Sequence, residues 1–121
     1  MAQLSKPDAE TRIVTIDPYE EILLRQANEM KYHDEYAEAI RIYDQVLLIN
    51  PCQVKALHSK GNALDMLGRY DEAISCYESA LEFDPGNAET WYNKGLTLKN
   101  MGCENEASEC MKRGISIATG Y

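Results

Sequence analysis

Long apolar runs are missing from this sequence, and so is an excess of basic charge. No stretch approaches the roughly 20 apolar residues of a membrane-spanning helix, and Met1 to Lys6 lack the apolar core of a signal peptide. Lys and Arg number 12 against 20 Asp and Glu, so the net charge is −8. This balance argues against a nucleic acid, whose phosphates need clustered cations, and against an anionic membrane. We therefore expect a cytoplasmic protein that binds neither nucleic acid nor membrane.

Cysteine and histidine are too few and too scattered to predict a metal or catalytic site. The cysteines form no Cys-x-x-Cys pair, and neither His33 nor His58 completes a zinc spacing. A glycine-rich phosphate loop, a His-Glu-x-x-His motif and a Gly-x-Ser-x-Gly motif are also missing. We expect no cofactor, no bound metal and no enzymatic activity, and thiols that act as small apolar residues. These thiols belong to Cys52, Cys76, Cys103 and Cys110.

A period of 34 residues is present, and it organises most of the chain. The windows 20–53, 54–87 and 88–121 align without insertion, and a repeat of this length is typical of stacked supersecondary units. We number the positions within each aligned window from 1 to 34 and call them columns. Three columns hold small residues. We expect columns 8 and 20 to let the helices of one unit approach, and column 27 to make room for the next unit. Their members are Ala27, Gly61 and Gly95 in column 8, Ala39, Ala73 and Ala107 in column 20, and Val46, Ala80 and Gly114 in column 27.

Each window reads as two helices joined by a turn. In the second window, Leu57 and Leu64 keep helical spacing before the turn, and Ala73 and Tyr77 keep it afterwards. Pro85 then ends the second helix, because proline cannot continue a helix interior. The pattern predicts six helices, at about 20–33, 36–49, 54–67, 70–83, 88–101 and 104–117.

The occupied columns resemble those of the tetratricopeptide repeat family. The resemblance covers residues 20–121 and implies an all-α fold. This would be an α-solenoid of three helix-turn-helix units, with six antiparallel helices in a right-handed superhelix. The third window keeps Trp91, Gly95 and Ala107 but departs afterwards, as is typical of a terminal repeat. The second window matches the pattern throughout, with Leu57, Gly61, Tyr70, Ala73, Tyr77, Ala80 and Pro85.

Residues 1–19 precede the pattern as an N-terminal extension. The segment from Ile13 to Pro18 is similar to the end of the first unit, which indicates the degenerate end of a preceding unit. Two alternatives stay open for the extension. Its polar start has little to anchor it and could be mobile, or Ile13, Val14 and Ile16 could cover the first helix as a cap. Whether the chain is a fragment of a longer array also stays open.

In this family the first helices line a concave groove, so the resemblance implies a non-catalytic scaffold or adaptor that binds a peptide or helix of a partner protein. Three acidic and three basic residues fall on the groove columns, which makes the groove nearly neutral. Apolar anchors there would supply affinity, and amides would bond an extended backbone. The candidate groove residues are Asn28, Tyr32, Lys55, His58, Asn62, Met66, Tyr92, Asn93 and Leu96.

Some family members bind chaperone C-termini through an Hsp70/Hsp90-type carboxylate clamp of three basic and two Asn side chains. Such recognition depends on charge-assisted hydrogen bonds. Only Asn28 matches, because the other clamp positions hold Leu24, Ser59, Glu89 and Asn93. We therefore do not expect clamp binding.

The alternative function is self-assembly through the C-terminal face. Family members normally end in an extra helix with a polar outer face, whereas this sequence stops at Tyr121. The last helix should then leave an apolar strip open, and such a patch usually marks an interface. The chain would be a structural subunit of a complex or a homodimer. The interface candidates are Met111, Ile115, Ile117 and Tyr121.

Overall fold

The computed structural model describes Asp17 to Gly120, and these residues form six α-helices and no strand. The all-α prediction is confirmed, and every helix end lies within two residues of its predicted position. Residues 1–16 and Tyr121 lie outside the described residues, together with the two alternatives for the extension and the candidate Tyr121. The helices are α1 (Pro18–Tyr32), α2 (Tyr36–Ile49), α3 (Val54–Met66), α4 (Tyr70–Phe83), α5 (Ala88–Asn100) and α6 (Glu104–Thr119).

The helices stack in chain order. Each packs against its neighbours in sequence, and the first helices of successive units also touch, α1 with α3 and α3 with α5. The pairs α1–α2, α3–α4 and α5–α6 are therefore three helix-turn-helix units, and the predicted solenoid is confirmed. Within Asp17–Gly120, no helix is both long enough and apolar enough to cross a bilayer.

Within each unit the two helices are joined by a turn that contains one left-handed residue. This residue is Asp34, Gly68 or Gly102, with φ of 61°, 77° and 83°. The residue after it donates its backbone N–H to the carbonyl five residues earlier, at 2.9 Å in all three units. This closes the end of the first helix and reverses the chain. Asp34 adopts the conformation without being glycine, and its carboxylate accepts a hydrogen bond from the Tyr36 hydroxyl at 2.7 Å.

The small columns set how closely the helices of a unit approach. A Cβ added to Gly61 would lie 2.6 Å from Cε1 of the Tyr77 ring, so column 8 acts within the unit, as expected. At Gly114, in column 27, an added Cβ would lie 2.7 Å from the carbonyl oxygen of Ala88. Since Ala88 belongs to the same unit, the small residue at this position lets α6 approach α5.

An equivalent ion pair occurs at both junctions between units. Lys60 of α3 lies 2.6 Å from Asp44 of α2, and Lys94 of α5 lies 3.4 Å from Glu78 of α4. These lysines share column 7 and the acids share column 25 of the preceding unit. Four small side chains at columns 3 and 10 are fully buried beside them. They are Ala56, Ala63, Thr90 and Thr97.

Helix α1 begins earlier than predicted. Asp17 is its N-cap and accepts a hydrogen bond from the backbone N–H of Tyr19 at 2.9 Å, and Pro18 occupies the first turn. Proline is favoured there because the first helical N–H groups have no partner in the helix. Asp17 and Pro18 therefore start α1, whereas the sequence comparison placed them at the end of a preceding unit.

Candidate functional site

Three shallow depressions follow one another along α1, α3 and α5. Their volumes are about 340, 340 and 210 Å³. Asn28 and Lys55 line the first two, and Asn62 lines the second and third, so the depressions form one surface across all three units. We call this surface the groove. The predicted residues that line it are Asn28, Lys55, His58, Asn62, Met66, Asn93 and Leu96.

Two predicted groove residues lie elsewhere. Tyr32 is 83% exposed and contacts His33 edge-to-face, with 5.3 Å between ring centroids. Tyr92 lines a separate depression of about 370 Å³ together with Ile115, an interface candidate. Tyr92 thus belongs to the C-terminal end of the solenoid. Of the other interface candidates, Ile117 is exposed and Met111 is half-buried.

Two asparagines of the groove are held by tyrosines of the second helices. The Tyr43 hydroxyl donates to Oδ1 of Asn28 and the Tyr77 hydroxyl to Oδ1 of Asn62, both at 2.5 Å. Burial raises the pKa of both phenols, so they stay protonated donors at neutral pH. Among the described residues, neither Asn28 nor Asn62 uses its Nδ2 group in a hydrogen bond. Each amide is therefore fixed by its oxygen and keeps two N–H donors.

The third unit replaces this pair with apolar side chains. Its corresponding columns hold Leu96 and Met111. Leu96 and Met66 line the third depression, and both are exposed. The groove therefore changes from amide-rich at its centre to a mixed surface at the third unit, where Met66 and Leu96 lie beside Asp65 and Asn93.

A polar cluster centred on His58 joins the second and third units. Its Nδ1 lies 2.8 Å from Oγ1 of the buried Thr90, and its Nε2 lies 3.2 Å from Nδ2 of Asn93. A neutral ring protonated on Nδ1 satisfies both contacts, because Asn93 Nδ2 can only donate. Glu89 Oε1 also lies 3.3 Å from Nε2, and a hydrogen bond to this carboxylate requires a proton on Nε2 instead. Burial lowers the pKa of His58 even though Glu89 raises it, and Lys31 lowers it further. The ring is therefore neutral at pH 7.

Acidification is expected to destabilise the protein through His58. An unfolded histidine has a pKa of about 6.5. The lowered pKa in the folded state means that the unfolded chain binds more protons as the pH falls below this value. The contribution of the neutral ring is thus complete above pH of about 6.5 and is lost below it, by at most about 1.4 kcal/mol per pH unit. Urea unfolding at several pH values between about 7.5 and 5.5 should show wild type losing its advantage over His58→Gln.

The second histidine supplies the control for this effect. His33 is exposed at the end of α1, so His33→Gln should keep the pH dependence of the wild type. An identical pH dependence in wild type and His58→Gln would contradict the assignment.

Charge is distributed unevenly along the groove. Lys31, Lys55 and Glu89 line the middle depression, which gives it an excess of one positive charge. Burial lowers the pKa of Lys31, and Glu89 partly offsets this effect. In the first depression, the buried Glu20 carboxylate accepts hydrogen bonds from Asn50 Nδ2 and Gln53 Nε2, at 3.1 and 2.5 Å.

Sequence reasoning did not include Glu20, Ser59 or Asn87 among the candidates, although all three line the groove. For Glu20 no signal was available. Its column holds Val54 and Ala88 in the other units, so the repeat pattern predicts an apolar position there.

The next groups to consider are those that could bind a metal ion and the thiols. No group of three His, Cys, Asp or Glu in Asp17–Gly120 could hold a metal ion. The four cysteines are unpaired, and burial raises the pKa of Cys76 and Cys110.

Two family models match the C-terminal half of the chain. One is described as TPR repeat and matches residues 61–102, and the other is described as Tetratricopeptide repeat and matches residues 88–121. Comparison with curated protein sequences finds no match.

Solved structures with the same helix arrangement are numerous. The chain is similar to the Sgt2 TPR domain from Aspergillus fumigatus, with a TM-score of 0.82 and 27% identity over 89% of this chain and 72% of that one. It is also similar to MamA, with a TM-score of 0.79 and 23% identity over 84% of this chain, and it spans only 59% of the MamA chain. The second TPR of Spaghetti (RPAP3), bound to the HSP90 peptide SRMEEVD, gives a TM-score of 0.79 at 16% identity, over 83% of this chain and 93% of that one.

Proposed function

Because this chain belongs to the tetratricopeptide repeat family, we propose that it is a protein-interaction scaffold whose groove binds a peptide or helix of a partner protein. The observation that carries this proposal is the pair of amides at Asn28 and Asn62, each fixed by a buried tyrosine. The charge of −8 supports a protein partner over a nucleic acid or an anionic membrane.

The two amides are suited to a peptide backbone. Each presents N–H donors, and the carbonyl groups of an extended segment are acceptors that recur along it. Because Tyr43 and Tyr77 hold the amide oxygens, little side-chain freedom remains to be lost on binding. Preorganisation of this kind lowers the cost of association.

Affinity would come from the two apolar side chains that line the third depression. Met66 and Leu96 line one depression and expose their side chains. A partner side chain buried there would remove apolar surface from water on both molecules, which is the usual source of binding energy at interfaces. Methionine also adapts its shape to different ligands.

We expect this groove not to recognise a C-terminal carboxylate in the way a clamp does. Leu24 and Asn93 stand where two clamp cations are required, and Glu89 replaces the third with an acid. Glu89 would repel a carboxylate rather than hold it. An HSP90-type C-terminal peptide therefore serves as a negative control for binding.

The expected result of the decisive experiment is a loss of binding caused by groove variants. Peptides selected from a phage-displayed library on the wild-type chain would be synthesised and their Kd measured by fluorescence anisotropy. The double variant Met66→Asp, Leu96→Asp should weaken binding at least tenfold, since each buried anchor contributes on the order of 1–2 kcal/mol. Both side chains are exposed, so the fold should persist, which circular dichroism would verify.

A matched substitution outside the groove controls for charge. Leu48→Asp adds one negative charge, as each of the two groove substitutions does, on α2 at a side chain that is 85% exposed and lines no depression of the groove. It should leave the Kd unchanged. Selected peptides that bind the double variant and the wild type equally would overturn the groove proposal.

A further inference from the structure

The C-terminal end of the solenoid carries the surface that joins units elsewhere in the molecule. In the second unit, α5 covers this surface, contacting His58 through Thr90 and Asn93, and Leu81 is only 9% exposed. At the corresponding position of the third unit, Ile115 is 51% exposed. We call this surface the C-terminal face, and its residues include Ala88, Glu89, Tyr92, Met111, Lys112 and Ile115.

The face has the shape and character of a helix-binding site. Its depression of about 370 Å³ lies between the first turn of α5 and the second half of α6, and its lining surface is apolar. In the second unit, the N-terminal part of α5 fills the equivalent space. The internal repeat therefore indicates that a helix fits here, running in the direction of α3 and α5.

The two existing junctions show what such a helix must carry. Fully buried small side chains stand at columns 3 and 10, and a lysine stands between them at column 7. Small residues are needed because they let the backbones approach closely. The lysine is needed because Asp44 and Glu78 face it at column 25 of the preceding unit.

The third unit carries a positive charge at column 25, where the first two units carry a negative one. Column 25 holds Lys112, which is exposed on α6. A helix with lysine at the central position would bring two like charges together, whereas an acidic residue would complete the pair. We therefore propose that the C-terminal face binds a helix of a partner protein that carries small residues at positions i and i+7 and Asp or Glu at i+4.

The helices of this chain do not meet that description. In a head-to-tail assembly, α1 of a second copy would be the natural occupant, but its columns 3, 7 and 10 hold Ile22, Gln26 and Glu29. Two of these are large where small residues are required, and the central one carries no charge. Helix α1 therefore does not supply the required residues, and self-association is the competing outcome.

The test uses the wild-type chain and a peptide with the sequence of residues 87–100, which carries Thr90, Lys94 and Thr97 at the three positions. A second peptide differs only by Lys94→Glu. In an NMR titration, the Glu peptide should shift α6 signals and bind about two- to fivefold tighter than the Lys peptide, as expected for one exposed ion pair. The variant Lys112→Glu should reverse this preference, and Ile115→Asp should weaken both peptides.

Arg41→Glu makes the same charge change on α2, away from the face, and should keep the wild-type preference. Equal affinity for the two peptides, a preference that survives Lys112→Glu, or no shift in α6 would each overturn the proposal. So would a dimer seen by light scattering that the Glu peptide does not dissociate, because the face would then belong to a second copy.

Discussion

Replacing Tyr77 with alanine is expected to lower the free energy of unfolding by about 3–5 kcal/mol. Its side chain is 1% exposed and belongs to the core cluster that joins the first two units, with Ile40, Ala63 and Leu64. The ring also lies against Gly61 with no room to spare. Since a small domain has a total stability of about 5–15 kcal/mol, this single change should remove a large share of the stability of the protein.

Urea denaturation followed by circular dichroism would measure the loss. Tyr77→Phe keeps the ring and removes only the hydroxyl bonded to Asn62, so it should cost about 1 kcal/mol. Tyr32→Ala removes a tyrosine that is 83% exposed and should stay within about 0.5 kcal/mol of the wild type. A loss below about 1 kcal/mol for Tyr77→Ala would show that this tyrosine does not hold the two units together.

Enlarging Gly114 is expected to push α6 away from α5. Helix propensity alone favours alanine over glycine by about 1 kcal/mol. The added Cβ, however, would lie 2.7 Å from the carbonyl oxygen of Ala88 and 3.0 Å from the backbone nitrogen of Tyr92. Both are backbone atoms, which cannot rotate aside, and overpacking costs about 1–3 kcal/mol or more. Gly114→Ala should therefore destabilise the protein slightly, and Gly114→Leu by about 3 kcal/mol.

Thermal unfolding of the two variants and of Gly86→Ala would separate the effect of close packing from the general effect of replacing glycine by alanine. A Cβ at Gly86 meets nothing within 4 Å, so alanine there should be neutral or stabilise by up to about 1 kcal/mol. If Gly114→Ala raised the melting temperature as well, the close approach of α5 and α6 would not limit this position.

Helix positions were predictable because the signals that set them are local. The spacing of Leu57, Leu64, Ala73 and Tyr77 follows the helical period, and Pro85 cannot continue a helix interior. The exception is the start of α1. There, the similarity of Ile13–Pro18 to the end of a unit concealed the role of Asp17 as an N-cap.

The groove was only partly predictable, because a column number places a residue on a helix face but does not name its neighbours. Asn62 was expected to serve a ligand alone, yet its oxygen is taken by Tyr77, which lies 15 residues later and in another helix. Tyr92 was expected in the groove, but it lines a separate depression together with Ile115. Glu20 was not expected at all, because its partners, Asn50 and Gln53, come from the turn between the first two units.

The 34-residue period of this chain is enough to establish six helices, their order and their pairing into three units, because each unit repeats the same local pattern and buries its apolar face only against its neighbours. The tertiary structure alone decided which polar atoms remain available. Hydrogen bonds such as that between Tyr43 and Asn28 join residues far apart in sequence, and their formation depends on how closely the helices approach. The same holds for the C-terminal face, because the role of Lys112 follows only from comparison with the ion pairs Asp44–Lys60 and Glu78–Lys94 at the other junctions.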